Sequence, residues 1–356
     1  MTPRSPTSMK HPAILLFVCA VAATSHAARP IEPGHDSIDH GSVSLYIEND
    51  LFGGTDRYYT SGVKLSWTST DLEKFADTPY ASPLLPLLDR MPFLNRQGFQ
   101  KNLTFSLGQN IYTPDDTESS GLVENDRPYA GWLYLGVGVA WKNAAERHAL
   151  TLQIGIVGSW SLGEESQRAV HEARGLGSPQ GWDNQLSNEL GVNLAYLRTW
   201  RYPHKSERVG LGWELLPHAG ATVGNVHIFA NAGAELRVGF NLPDDFGTAS
   251  ISPAESTPTA VEGEQQARRP RVFDLGAYVF LKADGKVVGR NLFLDGNTFA
   301  DSHSVDKKWL VAEISAGASV NYKNTKLTYA LIYRTIEFDG QEEGQLFGSV
   351  TVNVAF

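Results

Sequence analysis

Apolar and polar residues alternate along most of this chain. From Ala149 to Trp160, the residues Leu150, Leu152, Ile154, Ile156 and Trp160 share one face of an extended strand, while Thr151, Gln153, Gly155 and Ser159 share the other. A period of two marks strands rather than helices. The segment before it repeats the pattern. There Leu133, Leu135, Val137, Val139 and Trp141 stand opposite Trp132, Tyr134, Gly136, Gly138 and Ala140, whose small members suit a crowded interior. The same alternation predicts twelve strands, over 43–50, 59–69, 101–112, 130–142, 148–161, 188–201, 207–221, 225–240, 271–283, 309–322, 326–336 and 345–356. Many reach ten residues, enough to cross a bilayer at a tilt, and the number is even, as single-chain bacterial outer-membrane barrels require. Trp67, Trp141, Trp160, Trp200 and Tyr322 lie near strand ends, where interfacial girdles form.

The faces opposite the apolar ones decide between barrel and sandwich. They carry Lys64, Glu214, Glu235, Arg237, Glu313 and Arg334, charges that a sandwich core could bury only in close pairs and that a wet or ion-paired lumen accommodates. The last strand sets Val350, Val352, Val354 and Phe356 on one face, and a terminal phenylalanine is similar to the end signal of outer-membrane barrels. The predicted fold is all-β, a twelve-stranded antiparallel transmembrane β-barrel with a short helix in an extracellular loop. A secreted β-sandwich is the competing fold.

Composition refines this picture at the N-terminus. Arg4 and Lys10 precede an apolar run from Ala13 to Ala23 and the small-x-Ala sequence Ser25-His26-Ala27, which reads as a signal peptide over 1–27. The remaining 28–356 then form a single barrel domain. Removing the leader takes away two cations and no acids, so the formal charge moves from −9 to −11, and the single cysteine, Cys19, leaves with it. An acidic, cysteine-free, exported chain excludes nucleic acid as a partner and a disulfide scaffold as the source of stability, and leaves a hard cation as a plausible ligand. A monomer is expected.

An even-stranded barrel keeps both termini in the periplasm, which puts the connections 51–58, 113–129, 162–187 and 284–307 outside and the connections 70–100 and 241–270 inside. The 70–100 connection carries the run Pro83-Leu84-Leu85-Pro86-Leu87-Leu88 and is expected to fold under the barrel. The outer loops collect the chemistry-capable residues. Glu48-Asn49-Asp50 ends the first strand, Thr60 starts the second, and His171 rides on a predicted helix, 164–174, with acids at its start and Gly175 and Gly177 beyond its end. Strand parity points Glu48, Asp50 and Thr60 inward and Asn49 outward. Asn and Asp oxygens suit calcium, and a histidine in reach can take a proton from water. Taken singly, Asn49-Asp50 reads equally as a turn and His171 as a solvated loop residue.

Five blocks together resemble one family, the outer-membrane lipid A 3'-O-deacylases, or LpxR family. They are Glu48-Asn49-Asp50, Arg57-Tyr58-Tyr59-Thr60-Ser61-Gly62, Gln109-Asn110-Ile111-Tyr112-Thr113-Pro114, Asp126-Arg127-Pro128-Tyr129-Ala130-Gly131-Trp132, and His171 followed by Gly181-Trp182-Asp183-Asn184-Gln185. The resemblance implies calcium-dependent hydrolysis of the 3'-linked acyloxyacyl ester of lipid A, the membrane anchor of lipopolysaccharide, in the outer leaflet of the outer membrane. It implies that Asn49, Asp50 and Thr60 help form the metal and catalytic site, with Asn49 and Asp50 on the metal, and that His171 activates water. A water nucleophile agrees with the absence of a G-x-S-x-G elbow.

Two positions depart from the family pattern. Its lysine in the second outer loop has no counterpart in residues 113–125, and Arg127 is the nearest cation, either a partner for an oxyanion or lipid phosphate or half of a structural pair with Asp126. Its glutamate six residues after the histidine is Gly177 here, leaving Glu172, Glu165 or Asp183 as replacements. Other classes of function remain for the same scaffold: a passive pore or surface-binding barrel, and a calcium-dependent phospholipase.

Overall fold

The computed structural model describes residues 41–53, 57–91, 94, 97–205, 210–253 and 275–356. The predicted signal peptide, Cys19 and most of the 241–270 connection fall outside them. Thirteen strands run in chain order: β1 (Ser42–Asn49), β2 (Tyr58–Thr68), β3 (Gln100–Thr113), β4 (Ala130–Lys142), β5 (Glu146–Val157), β6 (Glu189–Trp200), β7 (Tyr202–Lys205), β8 (Leu211–Gly224), β9 (His227–Phe240), β10 (Leu275–Asn291), β11 (Leu310–Tyr322), β12 (Thr325–Arg334) and β13 (Gln345–Ala355). Each pairs antiparallel with its neighbour, β1 closes on β13, and β6 closes on β8, so twelve strands form the ring. The four-residue β7 adds only to the periplasmic end of β8.

Alternation set the two faces correctly. Leu135 is 63% exposed and Val279 61% exposed on the outer face, where lipid covers them, whereas Tyr134 and Tyr278 beside them are buried in the lumen. No helix among the described residues is long and apolar enough to cross a membrane. Most strand ends shift by a few residues from the reading by alternation, β8 running Leu211–Gly224 against the expected 207–221, and two of the shifts have a visible cause. β5 stops at Val157, because Gly158 takes φ 92° and the next three residues coil into a 3-10 turn. β10 continues to Asn291, well into the connection expected at 284–307, since its glycines hide a polar alternation that a bulge between Val288 and Arg290 fits to β9.

The lumen is filled in two layers. Its outer part is aromatic: Tyr59, Tyr112, Trp132, Phe293 and Phe347 belong to one buried cluster, with Tyr112 and Phe293 stacked at 4.1 Å. Its inner part is ionic. Glu214 accepts from Arg201 at 2.5 Å and from Arg237 at 2.6 Å, Arg237 also binds Asp245 at 2.5 Å, and Asp245 binds Lys326 at 2.8 Å.

Asp245 is not a strand residue. The chain leaving β9 at the periplasmic end, expected to stay in the periplasm, turns up into the lumen over its described part. Thr248 N donates to Glu235 (2.9 Å), Lys64 Nζ to Ser250 O (3.0 Å), and Ile251 N to Glu48 (2.8 Å). The physical reason is mutual satisfaction: luminal charges need partners, and this strap brings a carboxylate, main-chain amides and a carbonyl to them. Among the described residues, cavities of about 30 Å³ lie beside it, on the scale of a single water molecule.

Among the described residues three short α-helices lie in connections: α1 (Leu85–Leu88), α2 (Gly163–Arg174) and α3 (Leu292–Asp295). α2 is the helix predicted at 164–174. The segment carrying α1 does not fold under the barrel. Its Leu72, Phe75, Ala81 and Leu88 pack on Leu103, Val139 and Trp141, which belong to the outward face of β3 and β4.

Candidate active site

The outer ends of β1, β2 and β3 hold the first group of candidate residues. Asn49 ends β1, and its side chain donates to Thr60 O at 3.0 Å while its Oδ1 accepts from Leu51 N at 2.9 Å. Asp50 opens the 3-10 turn Asp50–Gly53, is fully buried, and accepts from Arg57 N at 2.5 Å. The chain after β1 therefore turns around the side chains of Asn49 and Asp50. Thr60 is the extra residue of a bulge in β2, where Tyr59 pairs with Tyr112 and Ser61 with Ile111. Bulges at barrel rims re-aim side chains, and this one turns the Thr60 hydroxyl to that of Thr113, 2.7 Å away. Glu48 is inward as parity predicts, but it faces the lumen below the rim, accepting from Tyr59 Oη (2.9 Å) and Ile251 N.

His171 arrives on α2. Gly163, Gln167 and His171 are spaced by four and form the buried face of this helix. That face is drawn down by a close approach at Gly163, where a Cβ would stand 2.9 Å from the Trp182 ring and 3.1 Å from Gly131 Cα on β4. Gln167 accepts from Trp182 Nε1 at 2.8 Å, Trp182 packs on Tyr129, and Gln109 of β3 donates to Ser161 O just ahead of the helix. The acids Glu164 and Glu165 sit in the first turn and His171 and Arg174 in the last, as the helix dipole favours, and Gly175 at φ 69° ends it.

The helix stop also settles how the imidazole is held. His171 Nδ1 lies 2.6 Å from Gly177 O. A carbonyl only accepts, so Nδ1 donates to it, and in the neutral imidazole Nε2 then carries the lone pair. The partner six residues after the histidine is present as a main-chain oxygen, and none of the three carboxylates considered from sequence is needed for it.

Arg127 stands apart from both groups. Its guanidinium does not pair with the Asp126 carboxylate, which instead accepts from Asp115 N at 2.7 Å and Arg127 N at 2.6 Å. Burial pushes that carboxyl above the usual carboxylate range, against the pull of those two amides. Arg127 reaches Glu337 at 3.5 Å and lies over the rings of Tyr112 and Phe338, with no exposed side-chain surface. Its Nε and Nη2 have no hydrogen-bond partner among the described residues.

Sequence reading missed the connection 335–344. Besides Glu337 and Phe338 it supplies Glu343, which with Asp115 brackets Arg57. Gln345 just beyond it binds the main chain of Arg57 and Tyr59, fixing the entry to β2. The run Gln341-Glu342-Glu343 was the available signal, a polar cluster facing the same rim as the other outer loops.

Among the described residues no three histidine, cysteine, aspartate or glutamate side chains gather to hold a metal. The donors at the junction of β1 and β2 are the Asp50 carboxylate, the Asn49 amide oxygen, the Thr60 hydroxyl and main-chain carbonyls. That set does not fit zinc, which takes nitrogen and sulfur ligands in a tight tetrahedron, and it fits a hard cation held largely by neutral oxygens.

The family model described as "Outer membrane protein LpxR" matches residues 13–356. Among solved structures, LpxR from Salmonella typhimurium superposes with a TM-score of 0.70 at 18% identity, covering 88% of this chain and 100% of that one. The β domain of the Bordetella autotransporter BrkA matches at a TM-score of 0.43 and 8% identity, covering 89% of this chain and 99% of that one. A search of curated proteins finds no match.

Proposed function

Because the chain belongs to the LpxR family of outer membrane proteins, we propose that it is a monomeric, calcium-dependent esterase that removes the 3'-linked acyloxyacyl group of lipid A in the outer leaflet. The observation that carries this reading is the setting of His171. It is a buried imidazole whose Nδ1 donates to Gly177 O, on the face of α2 that packs on β3 and β4, and β3 is the strand paired with the Thr60 end of β2. Nε2 is then the base that takes a proton from an attacking water.

Asp50 and Asn49 would hold the cation, with Thr60 fixing Asn49 through its carbonyl and Thr113 through its hydroxyl. Calcium bound there supplies a Lewis acid for the ester carbonyl and the oxyanion that develops on it. Arg127 offers two unused donors to an anionic oxygen from beneath the rim, in place of the lysine that the second outer loop lacks.

The test is mass spectrometry of lipids from cells with and without the protein. Lipid A shortened by its 3'-acyloxyacyl group, with the change abolished by calcium chelation, supports the reading. Unchanged lipid A overturns it, and shortened phospholipids would assign a phospholipase instead. The described lumen, filled by the strap and the aromatic cluster, speaks against the passive pore.

A further inference from the structure

The outward face of the barrel is not equally bare along its height. On β3 and β4, Leu107 is 48% and Leu135 63% exposed, whereas Leu103 and Val139, two steps along the same face toward the periplasm, are buried. The segment 71–91 covers them. It leaves the periplasmic end of β2 and pairs Leu72 with Lys101 through main-chain bonds of 2.8 and 2.9 Å. Asp71 is pinned to Lys142 and Asn102, each at 2.8 Å. It therefore occupies positions that acyl chains occupy further up the same strands.

We propose that the segment 71–91 is a membrane-interface anchor whose outer edge, Tyr80 to Pro86, lies among the phospholipids of the periplasmic leaflet. The face that replaces lipid against a barrel must itself meet lipid. From Pro79 to Leu88 the chain carries no charge, and its charges gather at the flanks, in Glu73, Lys74 and Asp77 on one side and Asp89 and Arg90 on the other. Tyr80 is 61% exposed, Pro83 and Pro86 are exposed, and Leu84 and Leu85 are half-buried. An apolar edge between charged shoulders is what an element lying in the interface plane presents. The edge is continuous with the aromatic belt, since Tyr80 meets Trp67 at 5.3 Å and Trp67 stacks on Phe105 at 5.9 Å. This anchor is independent of the reaction proposed above.

The chain's single cysteine lies in the predicted leader, so one-cysteine variants of the processed protein are direct to make. Tyr80→Cys and Leu84→Cys are spin-labelled and the whole barrel is reconstituted in phosphatidylethanolamine–phosphatidylglycerol vesicles. Collisions with oxygen and with a water-soluble nickel chelate are then measured. Leu135→Cys reports the lipid face, and Asn324→Cys the exposed β11–β12 turn. Labels at 80 and 84 are expected to collide mainly with oxygen, at a depth between the two controls. Nickel-dominated collisions like those at 324 would overturn the proposal by placing the edge in water. Protection from both reagents would overturn it too, by showing a protein cover such as a second copy. Pro83→Cys replaces either variant that fails to give the compact, unboiled gel mobility of a folded barrel.

Discussion

The two ends of the lumen satisfy buried polar groups in opposite ways. At the periplasmic end side chains neutralise one another: Arg201, Glu214, Arg237, Asp245 and Lys326 form a chain of alternating charge that ties β8, β9 and β12 to the strap. At the outer end three of the candidate residues take main-chain partners, Asn49 from Thr60 O and Leu51 N, Asp50 from Arg57 N, and His171 from Gly177 O. A charge partner cancels what it binds, whereas a main-chain partner orients a side chain without cancelling its charge. The inner network is thus built for holding strands together, and the rim for presenting groups. Substitutions should separate the two, changing rate at one end and stability at the other.

The largest effect belongs to the rim. His171→Gln removes the base but leaves α2 clamped by Gln167 and Gly163, so the initial rate of acyl release should fall by about 10²–10⁴-fold. The unfolding midpoint in urea should not move. A retained rate would remove His171 from the reaction.

Arg237→Ala should give the reverse. It strips Glu214 and Asp245 of a partner where both are buried, a loss of about 3–5 kcal/mol by comparison with broken buried pairs elsewhere. Urea unfolding of the reconstituted barrel measures it, and the rate per folded molecule should be kept. A rate that falls in step with stability would mean that the two ends are not separable.

Gly62→Ala probes the junction of the two layers. A Cβ there would run into the Tyr59 hydroxyl that binds Glu48 and stand 3.0 Å from Ile251 Cδ1 of the strap. Overpacking of this kind costs about 1–3 kcal/mol, so a smaller loss of stability is expected than for Arg237→Ala, with a partial loss of rate because Asn49 follows Glu48 directly. Unfolding and rate measured on the same preparation check both parts.

The same contrast explains what could be read from the sequence. Lumen and lipid faces follow from side-chain chemistry repeating every two residues, so Lys64, Glu214 and Arg237 were identifiable as luminal without a structure. The strap was not, because apart from Asp245 its part in the barrel rests largely on main-chain groups, the amides of Thr248 and Ile251 and the carbonyl of Ser250, and every residue type but proline offers both. The Thr60 bulge hid for a related reason. It is one unpaired residue in an otherwise regular strand, and only the pairing partner β3 reveals it. Among the candidate residues, Asn49 is hydrogen-bonded to Thr60 and Asp50, next in the chain, is held by Arg57 N, whereas the Asp126–Arg127 pair dissolves into a main-chain cap and a reach to Glu337.

Gly177 gives the smallest and sharpest test. Sequence comparison presents it as the loss of a carboxylate, and the structure presents it as a carbonyl that already holds Nδ1. Those readings diverge at one substitution. Nothing stands within 4 Å of a Cβ built at this position, so Gly177→Ala keeps the backbone and its oxygen. The rate should change by less than about threefold, well under the 1.4 kcal/mol that a tenfold loss represents. Gly177→Glu is the complementary variant. If orientation of the imidazole comes from the main chain, an added carboxylate there brings no gain in rate. A rise of tenfold or more would show that the imidazole of His171 lacks a partner that the carbonyl does not replace.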